Sequence, residues 1–278
     1  MSDAVPASAI RLWLRNERRL GVRHCAVAPR PARQTQTAAA ARERRTSAPP
    51  GSRAAPAPAD TAADRRPESR RSDAGSLEDA RARLATLDTQ QVRGCVKCGL
   101  HEQRTQTVFG VGHPQPEIVF VGEGPGADED RQGVPFVGRA GQLLTRMIAA
   151  MTLTRDQVYI CNVVKCRPPG NRTPVEAEMA ACSPYLFEQL RILRPRLIIA
   201  LGRPASQTLL STTASLGSLR GRLHDFPPTG LLSEDLPAAK LLATYHPAYL
   251  LRTPGDKGKA WEDLKTGMRY LNLPIPLG

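Results

Sequence analysis

The chain lacks several things that would decide its class. None of its 278 residues belong to an apolar run of 18, the length a membrane-crossing helix needs. No membrane partner is therefore expected. No short hydrophobic stretch follows the first charges, so a secretory signal is not expected either. Residues 1–76 contain no Lys and one aromatic side chain, Trp13, against 15 Arg and 7 Asp plus Glu. Ala, Arg and Pro supply 41 of those 76 positions. Such a stretch has too little apolar surface to offset the entropy of ordering it. Two globular halves of equal size are thereby excluded. The first 45 residues, Arg-rich and poor in acids, also have the composition of a transit peptide.

What is present lies mostly beyond residue 76. There the sequence holds 11 of its 12 aromatic residues and its apolar runs, enough for one well-buried core. The formal charge is +13, of which about +8 falls in the tail (15 minus 7) and +5 in the remainder (24 minus 19). A basic protein suits a polyanion such as nucleic acid, or an anionic surface. A GC-rich genome alone also produces an Arg/Ala/Pro-rich tail.

The expected organisation is a disordered Ala/Arg/Pro-rich tail over 1–75 and one domain over 76–278. Within the tail, residues 8–21 read as a short amphipathic helix, with Ile10, Trp13, Leu14 and Leu20 near helical spacing. Ser76 opens a helix whose first turn is acidic. Strands are expected at Glu117–Val121, Val158–Val164, Arg196–Leu201 and Lys240–Thr244. Helices are expected at Ala140–Met151, Pro174–Leu193, Pro204–Leu210 and Lys257–Leu271. This alternation implies βαβ units and a parallel sheet covered on both faces. In such sheets the working site lies beyond the carboxyl ends of the strands.

Of six cysteines, Cys25 lies in the tail and Cys161 inside an apolar strand, where a free buried thiol is the simplest reading. Cys95 and Cys98 form a Cys-x-x-Cys turn, Cys166 is placed at a strand end, and Cys182 lies in the next helix. Four thiolates suit a tetrahedral zinc site or an iron–sulfur cluster. The second pair is separated by 15 residues, unlike a zinc ribbon, and this favours the cluster. Disulfides are the structural alternative, disfavoured in a reducing compartment.

Several polar turns follow the strands. Gly122-Glu123-Gly124-Pro125-Gly126-Ala127 fits a dinucleotide-binding loop, but Pro125 interrupts it and Asp128, Glu129 and Asp130 would repel a pyrophosphate. Phe136, in a glycine-flanked turn, is either a stacking platform for a base or a core plug. Asn162 ends an apolar strand, and its paired donor and acceptor either read the edge of a base or bond nearby backbone. His246 precedes Pro247, which forces an extended turn. An imidazole there can donate to a developing anion, although a lone His is more often structural. Arg252, in the same segment, can meet a phosphate.

Together these residues resemble the family 4 uracil-DNA glycosylases, the iron–sulfur branch of the uracil-DNA glycosylase superfamily. The likeness runs from about Arg93 to Leu273. It rests on GEGPG at 122–126, PFVGRAGQLL at 135–144, NVVKCRPPGNRTP at 162–174 and HPAYLLR at 246–252, with the four cysteines in register. The resemblance implies an α/β fold, a three-layer α/β/α sandwich with a four-stranded parallel sheet. It implies that Cys95, Cys98, Cys166 and Cys182 carry a [4Fe-4S] cluster. Glu123 and Gly124 would line a uracil pocket, with Glu123 excluding the thymine methyl. Phe136 would stack on uracil, Asn162 would bond its polar edge, and His246 would stabilise the leaving anion. The turn from Pro247 to Arg252 would enter DNA.

The implied activity is a monofunctional uracil-DNA glycosylase of base-excision repair acting on uracil-containing DNA, with a non-catalytic iron–sulfur DNA-binding protein as the alternative. Catalysis is assigned to Glu123, Asn162 and His246. Glu123 is the first candidate to activate water and Glu129 the second, while Ala127 stands where an acid is common. Gly124, and the absence of a His in the Lys165–Pro169 segment, predict turnover rather than covalent capture. A cytoplasmic, nucleoid-associated bacterial monomer is expected, with the tail a candidate docking segment for a repair or replication partner.

Overall fold

The computed structural model describes residues 76–228 and 236–276. The expectations for the tail, its helix at 8–21, Cys25 and the docking segment lie outside the described residues.

Helix α1 (Leu77–Leu87) starts where the Ser76 side chain accepts the Asp79 N–H at 3.1 Å, and it buries Ala80, Leu84 and Leu87. A single π-turn (Asp88–Val92) then leads to the Cys95–Cys98 loop. The order that follows is β1 (Val111–Gly112), β2 (Ile118–Gly122), α2 (Ala127–Gln132), α3 (Arg139–Ala150), β3 (Tyr159–Asn162), α4 (Glu176–Leu193) and β4 (Leu197–Leu201). After these come α5 (Arg203–Leu210), α6 (Leu216–Leu219), β5 (Leu223–Phe226), β6 (Ala239–Thr244), α7 (Pro247–Arg252) and α8 (Lys257–Leu271).

The sheet has six strands in the order β1-β3-β2-β4-β6-β5, not the four expected. Its four inner strands, β3, β2, β4 and β6, are parallel. β1 and β5 pair antiparallel on the two edges. The inner strands are apolar on both faces because both faces are covered. Val119, Val121, Cys161, Ile198, Ala200, Leu241 and Ala243 join one core with side chains of α1, α4 and α5. Their neighbours Ile118, Phe120, Ile160, Leu197, Ile199, Leu201 and Leu242 join a second core with α3 and α8. The period of two in a strand thus divides each run between two cores. Cys161 is a buried free thiol in the first of them.

Three local expectations change. The segment after His246 is not an extended turn but the one-and-a-half-turn helix α7, with Pro247 at its first position, where its missing N–H costs nothing. His246 alone is extended (φ −68°, ψ 137°), as a residue before proline must be. Cys166 does not end β3, which stops at Asn162; it lies four residues further along. Helix α4 begins at Glu176 rather than Pro174, because Glu178 turns back to accept the Val175 N–H at 2.8 Å.

Helix α3, which follows β2, packs in one core, and α5, which follows β4, packs in the other. The adjacent strands β2 and β4 therefore send their chains to opposite faces. The space beyond their carboxyl ends is the crevice position usual for a site in such sheets.

Candidate active site and cysteine cavity

The ends of β2, β3 and β6 bring the polar motifs together at that crevice. β2 and β3 end in register, Gly122 opposite Asn162. Their pairing continues past both strands, with Val163 N–H donating to Gly122 O at 2.9 Å and Val164 N–H to Glu123 O at 3.1 Å. This fixes the first residues of the GEGPG loop.

A Cβ on Gly122 would strike the Phe136 ring and the Asn162 carboxamide, so glycine is what lets those two side chains meet over the strand end. Asn162 is 1% exposed, and its Oδ1 has no hydrogen-bond partner. A buried amide oxygen left unpaired is costly in a folded protein, so this acceptor is aimed at something that binds. Its own backbone carbonyl is held by the buried Lys165, whose Nζ donates to Asn162 O at 2.7 Å and to Gln189 Oε1 at 2.6 Å.

Phe136 is buried at φ +55°, the left-handed region that a bulky side chain rarely adopts. Its ring lies 5.6 Å from the His246 ring, the planes tilted by 35°. His246 reaches the crevice from just past β6, where Gly202, the residue after β4, at φ +88°, leaves room for its Cβ. The His246 Nδ1 accepts the Ala248 N–H at 3.1 Å. Burial, together with the Arg252 charge, pushes the imidazole down to about 4, against the pull of the Glu129 carboxylate. The ring is therefore neutral at pH 7, and its proton sits on Nε2.

Glu123 is half-buried just past β2. Burial pushes its carboxyl up, while a hydrogen bond from the Thr173 side chain and the Arg203 charge pull it back. Gly124 faces Val164, Pro168 and Pro174; a Cβ there would stand 2.7 Å from Val164 Cγ2. Pro247 is buried at the start of α7, and Arg252 is exposed at its end.

The carboxylates after the glycine loop do not face a ligand. Glu129 accepts the N–H groups of Gly126 (3.1 Å), Val137 (2.9 Å) and Gly138 (3.0 Å). Asp130, buried, accepts the Thr105 N–H with both oxygens. The loop is thus filled from within, which removes the dinucleotide reading.

On the opposite core, Cys95, Cys98, Cys166 and Cys182 line one cavity with Val92, Arg104 and Tyr185. Donors point at all four sulfurs, the Leu100 backbone N–H serving Cys98. Arg104 donates to Cys166 Sγ at 3.2 Å, Tyr185 Oη–H to Cys95 Sγ at 3.3 Å, and Lys165 N–H to Cys182 Sγ at 3.2 Å. Arg104 also donates to Cys95 O at 2.7 Å and Arg93 O at 3.1 Å, which clamps the Cys-x-x-Cys loop. Burial pushes the Cys182 thiol up to about 12. Among the described residues, no three His, Cys, Asp or Glu side chains close around one point as a mononuclear site would require.

Sequence reasoning missed Arg104, Thr173 and the internal duties of Glu129 and Lys165. Arg104 stands close to a motif and Thr173 within one, but nothing in a spacing shows where a guanidinium or hydroxyl turns.

An α/β/α sandwich that gathers an aromatic ring, an unpartnered buried amide acceptor and a neutral imidazole at its strand ends has the framework of a base-reading protein. The profile of the uracil DNA glycosylase superfamily matches residues 109–265. The chain is 44% identical over 178 residues to the type-4 uracil-DNA glycosylase of Thermotoga maritima, covering 64% of this chain and 88% of that one. It is 42% identical to that of Archaeoglobus fulgidus (66% and 92% covered) and 44% identical to that of Pyrobaculum aerophilum (62% and 87%). The chain belongs to the uracil-DNA glycosylase superfamily and, within it, to the type-4 family.

Proposed function

We propose that this protein removes uracil from DNA by hydrolysing its N-glycosidic bond, and that the crevice at the ends of β2, β3 and β6 is where it does so. The observation that carries the reading is the unpaired, buried Oδ1 of Asn162 beside the Phe136 ring and the Nε2–H of His246. A flipped pyrimidine offers a flat face for Phe136, donors and acceptors for Asn162, and a carbonyl for His246.

Breaking the bond between C1′ and N1 sends the electron pair to uracil and leaves cationic character on the sugar. Water attacks C1′ and gives its proton to Glu123, whose burial makes it a stronger base than an exposed carboxylate. Thr173 holds that carboxylate in place. The anion that collects on uracil meets the Nε2–H of His246. One such donor is typically worth ~3 kcal/mol. Because His246 is neutral, its proton remains on the ring while it stabilises the charge. Gly124 leaves no carboxylate at the neighbouring position, so Glu123 carries the water. No lysine enters this scheme, and the product is an abasic site.

DNA contact is supported by the helices that begin at this edge. α5 starts at Arg203 with no acid in its first turn, and α8 starts at Lys257; the start of α3 is already taken by Glu129, and Lys259 by Asp256 at 2.8 Å. Cations there oppose the helix dipoles, but a phosphate would satisfy both. Pro247 and Arg252 on α7 would enter the duplex.

Cys95, Cys98, Cys166 and Cys182 would hold a [4Fe-4S] cluster. Their shared cavity and the donors to each sulfur fit four thiolates. When bound, the cluster supplies cross-links between the α1–β1 and β3–α4 segments, and no step of the hydrolysis. The four large apolar side chains exposed among the described residues, Leu77, Val96, Val111 and Val175, belong to four separate segments, which favours a monomer. The reading places the protein on DNA in a bacterial cytoplasm, with any partner recruited through residues 1–75.

The test is cleavage of a uracil-containing oligonucleotide followed by alkali, with His246→Ala and a thymine strand as controls. Breaks at uracil alone, lost in the variant, support the reading. Full binding with no breaks would favour the non-catalytic alternative.

A further inference from the structure

Phe136 is held from outside the crevice. Its φ of +55° is strained, so something must over-determine it. Arg155, in the loop between α3 and β3, donates from Nη1 to Phe136 O at 3.1 Å and from Nη2 to Pro135 O at 2.9 Å. Nη1 also donates to Thr145 Oγ1 on α3 at 3.2 Å. The Phe136 carbonyl it holds runs against Gly141, where any Cβ would collide with it. One planar guanidinium therefore fixes two successive carbonyls and a helix hydroxyl. Only a fork of donors can do this; a point charge cannot span all three. None of these bonds faces the crevice, and neither the sequence motifs nor the hydrolytic scheme uses Arg155.

We propose that Arg155 is a positioning residue for base recognition: it locks the Pro135–Phe136 carbonyls so that the Phe136 ring is already in its stacking pose before DNA arrives. The proposal rests on the reading that Phe136 stacks on the flipped base. A pre-set platform avoids the ordering cost on binding, so its loss should appear in affinity for the base and not in affinity for the backbone. The glycosidic bond and its water are untouched.

The experiment is a double-mutant cycle on the full chain with Arg155→Met, Phe136→Leu and both together. Two duplexes are bound, one with an uncleavable 2′-fluoro-2′-deoxyuridine and one with a tetrahydrofuran abasic site. Arg155→Met should weaken the uracil duplex about tenfold and the abasic duplex less than about twofold. In the Phe136→Leu background it should cost less than about twofold on either duplex. Arg155→Lys, which keeps the charge but not the fork, should fall between; it also carries the test if Arg155→Met does not fold. Equal weakening on both duplexes, or full additivity with Phe136→Leu, would overturn the proposal. If Phe136→Leu alone binds the uracil duplex as tightly as the unaltered chain, the stacking reading itself fails, a result distinct from additivity.

Discussion

His246 and Ala248 are joined by a bond that decides the chemistry of the imidazole: Nδ1 accepts the Ala248 N–H at 3.1 Å, which leaves the proton on Nε2. The bond is also the N-cap of α7, so the helix that would enter DNA and the tautomer that would meet uracil are set by the same contact.

The pH dependence follows. With His246 held down to about 4, its protonation does not limit activity at mildly acidic pH. The acid limb of kcat/KM should belong instead to Glu123, whose carboxyl is pushed above its ordinary value of 4.5 by burial, with activity expected to fall as that group gains its proton. Glu123→Gln should lower the rate and flatten the limb in single-turnover profiles. A limb that persists unchanged would assign it elsewhere. For stability the sign is opposite to a paired histidine's. The unfolded ring binds its proton near 6.5 and the folded ring only near 4, so this group's contribution is complete above 6.5 and is lost as pH falls through that window.

Asn162→Ala should separate stability from activity. Its Oδ1 has no partner to lose, so the change should cost less than about 1 kcal/mol in unfolding free energy. The same change should lower kcat/KM by about tenfold or more, because the acceptor that pairs with an N–H on the base edge is lost. Thermal melting and single-turnover cleavage on one preparation check both halves. A large stability loss would mean that the amide is structural.

Lys165→Met should behave in the reverse way. Lys165 is 1% exposed and supplies donors to Asn162 O and Gln189 Oε1. Removing the ammonium leaves two buried acceptors unpaired, at about 1–3 kcal/mol each. Denaturant unfolding should show a loss of that order, and a neutral result would mean that neither bond contributes.

Cys182→Ser should lower iron per chain and visible absorbance together, with a fall in melting temperature. Arg104→Leu should keep the iron but lower the cluster's reduction potential, because a charged N–H donor to Cys166 Sγ stabilises the more negative, reduced state. Iron assay and voltammetry read these outcomes. A colourless protein carrying zinc would redirect the cysteine assignment.

Binding to DNA should weaken with salt. Arg203→Ala and Arg252→Ala should each make the slope of log K against log salt shallower by about one if each meets a phosphate. An unchanged slope in either variant removes that residue from the interface.

The inner sheet was legible in the sequence because a strand buried on both faces must be apolar throughout: Arg196–Leu201 was expected and Leu197–Leu201 is found. Helix α8 falls at the expected Lys257–Leu271. The edge strands were not legible. β1 is two residues long, and Leu223–Phe226 reads LHDF, without a clear apolar run. Helix α7 was hidden because His-Pro reads as a stop, whereas here it is a cap and a first turn. Motif residues at strand ends converge because the sheet makes them converge. Arg155 did not show itself, since its carbonyl partners lie 19 and 20 residues away and backbone acceptors leave no mark in composition.

The acidic run after the glycine loop has a wider consequence. Glu129 and Asp130 close on backbone amides, and Asp128 closes on Arg131 at 2.6 Å. A tally of letters would give this rim three negative charges and a repulsive field toward DNA. Folded, Asp128 is offset by Arg131 while Glu129 and Asp130 are turned onto backbone amides, so these acids build the loop's shape and leave its rim without a carboxylate free to take a ligand's donors.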